Sequence, residues 1–434
     1  MPKTVLLSAY ACEPGKGSEP GIGWNWACQL ALQGHEVKVL TQSRFLPAIT
    51  RACHAGEAPG LEAVPVSVPI LDRWEPVLSR LGTPYYYAHV YLWQYAAYRQ
   101  ARALHRDRPF DWVHQVTLGA ARIPSWMGFL GIPFLLGPIA GGETAPWRLR
   151  RSFPLRGWGH ALARDLSNLW VRVDPLVRMT FRQATRILTT SEQTQAMLPR
   201  ARRAKSALQL AIGADSLAAP SRTRSRDSFK LLYVGRLLYW KGIHLSLRAL
   251  AELRREVPSA RMTIVGSGPD EAWLKAQASR LGVEDAVDWV AWMSRDELAQ
   301  VYADHDVFCF PSLHDSGGMV VLEALAQGLP VVCLDLGGPA LMIDGSCGRV
   351  ISTQRADEPQ VVGSLRDALF ELASEPALRE SLSQGAAARV REYAWPAVVA
   401  RAYALNSFPV AAGSPFAAVP PAAATPARRT EDWS

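Results

Sequence analysis

Short apolar runs alternate with longer amphipathic stretches along most of the chain, and the alternation starts twice. In the first series Val5–Ala9, Val37–Leu40, Trp112–Val116, Pro133–Ile139, Ile187–Thr190 and Leu208–Ile212 are continuous apolar runs. Runs of this kind predict strands covered on both faces, as in parallel sheets. After the first run, WNWACQLALQ predicts a helix that ends at Gly34, since glycine readily takes the left-handed conformation that closes a helix. Residues 214–228, ADSLAAPSRTRSRDS, are small, polar and basic, the composition of a linker. The pattern then restarts with strands at Leu231–Val234, Met262–Val265, Val287–Val290, Val307–Phe310 and Val331–Leu334. Between the first two of these, Ile243, Leu247, Leu250 and Leu253 share one face of a helix over 243–254. Two such series predict an α/β protein of two Rossmann-like, doubly wound domains facing a cleft, over residues 1–214 and 229–395. The Ala- and Pro-rich segment 410–434 is expected to be disordered.

Composition narrows the class. A chain of 434 residues, 49% hydrophobic and 20% charged, suits two or three globular domains with sizeable cores. Its six cysteines are scattered without a CxxC pair, which fits reduced, mostly buried thiols better than a disulfide framework or a zinc site. The N-terminus has too short an apolar stretch for a signal peptide, so a cytoplasmic protein is expected. The uncharged run 123–142 holds three prolines and five glycines, and reads as a helix, a turn and a buried strand, not a membrane span. The net charge of +8 hides an asymmetry: residues 1–228 carry 28 Lys and Arg against 15 Asp and Glu, the remainder 19 against 24. Basic clusters at Arg148, Arg150, Arg151 and Arg156, at Arg200, Arg202, Arg203 and Lys205, and at Arg222, Arg224 and Arg226, are either solvated surface or attractors of an anionic acceptor or an anionic membrane face. Attraction to such a surface contributes up to ~1 kcal/mol per residue. No nucleic-acid-binding module is present, so nucleic acid is not an expected partner. The aromatic run PYYYAHVYLWQYAAY, 84–98, reads as a core-packed helix or as a surface for a membrane interface or acceptor lipid.

Chemistry concentrates in the second series. In PSLHDSGGMVVLEALAQGLPVVCL, 311–334, a strand ends, a glycine loop follows, and a helix starts near Met319. The glycines allow close backbone approach, and the first helix amides point at whatever anion or hydroxyl binds there. Glu323 lies in an apolar stretch, where a carboxylate needs donors; ribose hydroxyls would supply two, and an exposed stripe or an Arg partner is the plain alternative. Asp315 is a candidate for a sugar hydroxyl or for a helix N-cap. In VGRLLYWKG, 234–242, Arg236 and Lys241 bracket a loop at a strand end, where a diphosphate would meet an Arg fork and a Lys point charge. In the first series, the Gly-rich loop 13–23 brings Gly21 and Gly23 to a helix beginning near Ile22. No GxGxxG fingerprint follows the first strand, which disfavours a nicotinamide dehydrogenase. His114 near a strand end could be a general base or a structural histidine, and Glu143 in GPIAGGETAP could bind acceptor or donor hydroxyls.

Gly-Arg…Lys-Gly, followed by an acid, seven residues, Glu and then Gly-x-Pro-Val-Val, resembles family 4 retaining glycosyltransferases of the GT-B fold. The likeness spans most of residues 1–408 and is most specific in 231–335. It implies that Arg236 and Lys241 contact the donor diphosphate and that Glu323 binds the ribose. Asp315 stands where the family usually has Glu, and the amides of Ser316, Gly317, Gly318 and Met319 line the donor sugar. Gly21 and Gly23 then lie beside the donor phosphates, and a helix near 396–409 crosses back to the first domain. The implied activity is retaining transfer of a hexose from a nucleoside-diphosphate sugar to a hydroxyl of a glycan or lipid-linked acceptor, in cell-surface or exopolysaccharide synthesis. No Asp-x-Asp metal motif sits in a fitting context, so no metal is expected, and no cofactor beyond the nucleotide sugar as co-substrate. The family commonly has Glu-Gly-Phe-Gly where this chain has Asp-Ser-Gly-Gly, and the shorter acid bears on sugar choice. Base selection is expected around Trp292 and Met293. A sugar-nucleotide epimerase on the same scaffold and a non-catalytic nucleotide-sugar-binding protein are the alternatives.

Overall fold

The computed structural model describes residues 2–215 and 228–404; residues 216–227 of the expected linker and the segment 410–434 lie outside them. The first domain is built on seven parallel strands: β1 (Thr4–Ser8), β2 (Glu36–Gln42), β3 (Leu61–Val66), β4 (Trp112–Gln115), β5 (Phe134–Ile139), β6 (Arg186–Thr189) and β7 (Ser206–Leu208). Their order is β3-β2-β1-β4-β5-β6-β7. The second holds β8 (Lys230–Val234), β9 (Arg261–Val265), β10 (Val287–Val290), β11 (Val307–Phe310), β12 (Val331–Leu334) and β13 (Gly348–Ile351), in the order β10-β9-β8-β11-β12-β13. Every recorded pairing is parallel. In both sheets the order reverses beside the first strand, between β1 and β4 and between β8 and β11, and such switch points open a crevice at the strand carboxyl ends. Central strands such as Val307–Phe310 and Val331–Leu334 are buried at every position, which is why their sequence does not alternate.

Edges departed from expectation. β3 carries Pro65 and β13 opens on Gly348-Arg349, so neither reads as a strand; both lie at sheet edges, where a missing donor or a short element is tolerated. The strand expected at Leu208–Ile212 is instead Ser206–Leu208. In 123–142 the helix is a single 3-10 turn, Met127–Leu130, closed by Gly131 before β5. Among the described residues no helix is long and apolar enough to cross a membrane.

Among the described residues the domains are joined on both sides of the cleft. Helix Trp395–Ala404 lies on the first sheet, where Tyr403 sits against Trp112, His114 and Trp26. At its start the Trp395 indole donates to Asp215 at 2.8 Å and packs on Gly213, where an added Cβ would stand 2.6 Å from the ring. On the far side of the cleft, residues 148–157 reach the second domain. Arg148 donates to the Arg355 carbonyl at 2.6 Å, the Phe153 ring lies 4.7 Å from that of Tyr239, and Arg156 donates to the Pro269 carbonyl at 2.7 Å while pairing with buried Asp270.

Candidate functional site

The two sets of strand ends enclose a cavity of about 390 Å³. Its second-domain wall is made by Trp240, Lys241, His314, Asp315, Ser316 and Gly317. Glycines bring these loops together. Gly242 has φ +71°, and a Cβ there would meet the Pro311 carbonyl oxygen at 1.9 Å, so the loop after β8 rides directly on the loop after β11. Gly337 touches the Asp315 carbonyl in the same way, at 2.0 Å. The Lys241 ammonium pairs with the Asp315 carboxylate and stands 5.4 Å from the Phe310 ring centre. Asp315 is not the helix cap; Gly318 is, with φ +76°, and Met319 begins helix Met319–Ala326. Beside the pair, the His314 ring stacks on Trp240, with centroids 5.1 Å apart. Burial, then Arg164, Lys241 and Arg150, push the His314 imidazole down to about 3, so it is neutral near pH 7.

The first-domain wall carries two carboxylates held by many donors. Glu143, 1% exposed, accepts from the Ser191 and Thr194 hydroxyls at 2.6 and 2.8 Å through one oxygen, and from the Gly141 amide at 2.8 Å through the other. Arg164 stands 3.8 Å from that second oxygen and donates to the Glu143 carbonyl at 2.6 Å. Glu19 accepts from the Leu118 amide at 2.6 Å, and burial raises its pKa. Both carboxylates line the cavity, as does Arg164. A smaller cavity of about 160 Å³ adjoins, sharing Arg164, Trp240 and His314 with the larger one and lined also by Arg150, His160 and Asp165. The cleft thus offers one ammonium, guanidinium groups and fixed carboxylates around a space that both domains close.

Lys241, Asp315, Ser316, Gly317 and Glu143 therefore meet around one space; other residues expected there do not. His114 is fully buried in β4. Its Nε2–H donates to the Gly137 carbonyl at 2.6 Å, which leaves Nδ1 to accept from the Tyr403 hydroxyl at 2.6 Å. Both nitrogens are occupied and burial lowers its pKa to about 3, so it is no base for the cleft. Gly21 and Gly23 sit inside helix Ser18–Leu32, which starts four residues before the expected point. An added Cβ would meet the Lys16 or Ala11 carbonyl oxygen at 1.9 or 2.1 Å, so these glycines let their own loop fold onto the helix and do not face the cavity. Glu323 is half-buried, accepts from the Tyr302 hydroxyl at 3.1 Å, and lies outside the cavity lining. Arg236 is exposed and also outside that lining, and Trp292 is 78% exposed. Sequence reading missed His314, Trp240, Arg164 and Glu19. The first two stand inside the motifs already singled out, whereas nothing local marks Arg164, which arrives from a helix far along the chain. Among the described residues no cluster of three or more His, Cys, Asp or Glu is arranged to hold a metal ion.

Residues 218–389 match the family of glycosyl transferases group 1. That match takes in most of the second domain. The glycogen synthase of Mycobacterium tuberculosis is 33% identical over 171 residues, covering 39% of this chain and 40% of that protein. A GDP-mannose-dependent alpha-(1-6)-phosphatidylinositol monomannoside mannosyltransferase of Mycolicibacterium smegmatis is 34% identical over 183 residues, covering 39% and 46%. The alignments thus span less than half the length of these relatives. Across nearly the whole chain the fold resembles that of a sucrose-phosphate synthase from Thermosynechococcus elongatus, with TM-score 0.58 at 18% identity, covering 95% of this chain and all of that one. The architecture is GT-B, two Rossmann-like domains about a cleft.

Proposed function

We propose that the chain is a retaining glycosyltransferase that moves a hexose from a nucleoside-diphosphate sugar to a hydroxyl of a glycan or lipid-linked acceptor, in the synthesis of a cell-surface or exported polysaccharide. The observation that carries this reading is the interdomain cavity, with Lys241, Asp315 and a glycine loop on the wall of a glycosyl transferases group 1 domain and Glu143 with Arg164 opposite. A diphosphate entering beside Lys241 replaces the carboxylate partner of that ammonium, and the released Asp315 then accepts from a sugar hydroxyl. The charge on the departing nucleoside diphosphate is met by Lys241, with Arg236 swinging in from its exposed loop, and no metal is required for that charge balance. Ser316 and Gly317 offer backbone to the sugar, and closure of the cleft excludes water that would hydrolyse the donor. Glu143 and Arg164, fixed by their neighbours, orient the acceptor.

A thermal-shift screen with UDP-, GDP- and ADP-sugars tests the reading, followed by assay of nucleoside diphosphate release with and without acceptor. One donor class should stabilise the protein, and release should rise with acceptor. Conversion of the donor sugar without acceptor would replace this reading with an epimerase, and binding without turnover across an acceptor panel would leave a nucleotide-sugar-binding protein.

A further inference from the structure

Helix Leu155–Val171 is inverted. In a surface helix the apolar stripe normally faces the core and the polar side faces water. Here only Gly157 and Val171 are buried, Trp158 and Ala161 pack part-buried against the core, and the rest of the side turned to the protein is polar. Arg164 reaches the Glu143 carbonyl, Asn168 donates to the Gly142 carbonyl at 3.3 Å, Ser167 accepts from Arg122 at 2.6 Å, and Asp165 pairs with Arg150 at 2.6 Å. Turned outward are Leu155, Leu162, Leu166 and Leu169, spaced seven, four and three residues apart and so on one face, each more than half exposed, with Trp170 64% exposed beside them.

The apolar surface continues onto a second element. Helix Thr83–Asp107 leaves Tyr87 and Tyr95 more than 40% exposed, and Tyr91 on the same face donates to the carbonyl of Arg122, whose guanidinium is bonded to Ser167 and Asn168. An aromatic row and a leucine row thus flank one arginine. Residues 146–182 hold eight arginines and two aspartates, and Arg151, Arg172, Arg178 and Arg182 are exposed. This charge selects the occupant. A second copy docked about a two-fold axis would set the same basic patch against itself, whereas an anionic lipid surface is complementary to it.

We propose that this face of the first domain lies on a bilayer containing anionic lipid, with the Leu155–Val171 helix in the interfacial plane and the flanking Arg151, Arg172, Arg178 and Arg182 at the headgroups. Because the inner side of that helix supplies Arg164 to the cavity, docking sets the mouth of the cleft at the membrane surface, where a lipid-linked acceptor presents its sugar. This last consequence rests on the transferase reading; the docking itself does not.

The test uses the full chain without nucleotide sugar, so its outcome is independent of transfer. Protein is co-sedimented with vesicles of phosphatidylcholine alone and of phosphatidylcholine mixed with phosphatidylglycerol. It should pellet with the phosphatidylglycerol vesicles, weakly with phosphatidylcholine alone, and less as salt rises. The triple variant Leu162→Ser, Leu166→Ser, Leu169→Ser should lose at least tenfold in vesicle partition. Because these side chains are exposed, its melting temperature should hold; if it does not, Leu155→Ser alone and quenching of Trp170 by bromine-labelled lipid, read against Trp170→Phe, carry the test. Failure to pellet with phosphatidylglycerol vesicles overturns the proposal. So does equal binding by wild type and variant, or a concentration-dependent dimer that the triple substitution abolishes.

Discussion

Replacing Tyr403 by phenylalanine separates a structural His114 from a chemical one. The imidazole is fully buried between β1 and β5, and its Nε2–H is committed to the Gly137 carbonyl. Its Nδ1 therefore needs a donor, and the Tyr403 hydroxyl supplies it at 2.6 Å from the helix that returns from the second domain. Removing that oxygen leaves a buried acceptor unsatisfied, at a cost of about 1–3 kcal/mol. The phenyl ring that remains keeps the packing against Trp112 and Trp26, so little cavity term is added. Urea unfolding followed by tryptophan fluorescence should show a lower midpoint with an unchanged slope. Turnover measured well below the transition should equal that of wild type. An unchanged midpoint would show that His114 does not depend on the Tyr403 hydroxyl, and a loss of turnover of about a hundredfold or more with the midpoint intact, the size expected when a general base is disabled, would show a chemical role for His114.

Burial holds several histidines below their ordinary value, which contributes to the acid behaviour. His114, His244 and His314 each sit at about 3 instead of 6.5, chiefly through burial. The folded state resists a proton that the unfolded chain accepts, so this stability is complete above pH 6.5 and is lost as pH falls from 6.5 towards 3, by up to ~1.4 kcal/mol per pH unit for each histidine. His244 has no hydrogen-bond partner for either ring nitrogen among the described residues, so His244→Phe should be neutral or stabilising at pH 7 and should flatten that slope; a slope equal to wild type in unfolding titrations at pH 4–6 would contradict this. Glu143→Gln should destabilise by about 1–3 kcal/mol, because an amide cannot accept from both the Ser191–Thr194 hydroxyl pair and the Gly141 amide, and it should raise the acceptor KM; wild-type melting and KM together would remove Glu143 from the site.

The second domain was the more legible half. Its central strands are buried and continuous, and Gly242 and Gly337, whose close contacts leave no room for a side chain, seat the Gly-Arg…Lys-Gly and Asp-Ser-Gly-Gly segments so that Lys241 meets Asp315. The first domain misled at the points where burial, not residue type, decides the role. His114 lies one residue from the end of its strand, and only the arrival of Tyr403, 289 positions away, shows that the ring is sealed. Gly21 and Gly23 look like a phosphate loop because a glycine that admits a ligand and one that admits a neighbouring carbonyl are alike in sequence. The edge strands β3 and β13 escaped because edges need neither an apolar run nor a full set of donors. The inverted helix carries the periodicity of an ordinary core helix, so its outward leucines emerge only from the fold.

In the proposed reaction Lys241 grips the donor diphosphate. Calorimetric titration of wild type and Lys241→Ala with the nucleotide sugar that most raises the melting temperature tests it most directly. A charge-assisted contact contributes about 1.5–3 kcal/mol, so the variant should bind about 10- to 150-fold more weakly while melting at the wild-type temperature without ligand. Equal affinity in the two proteins would contradict the claim.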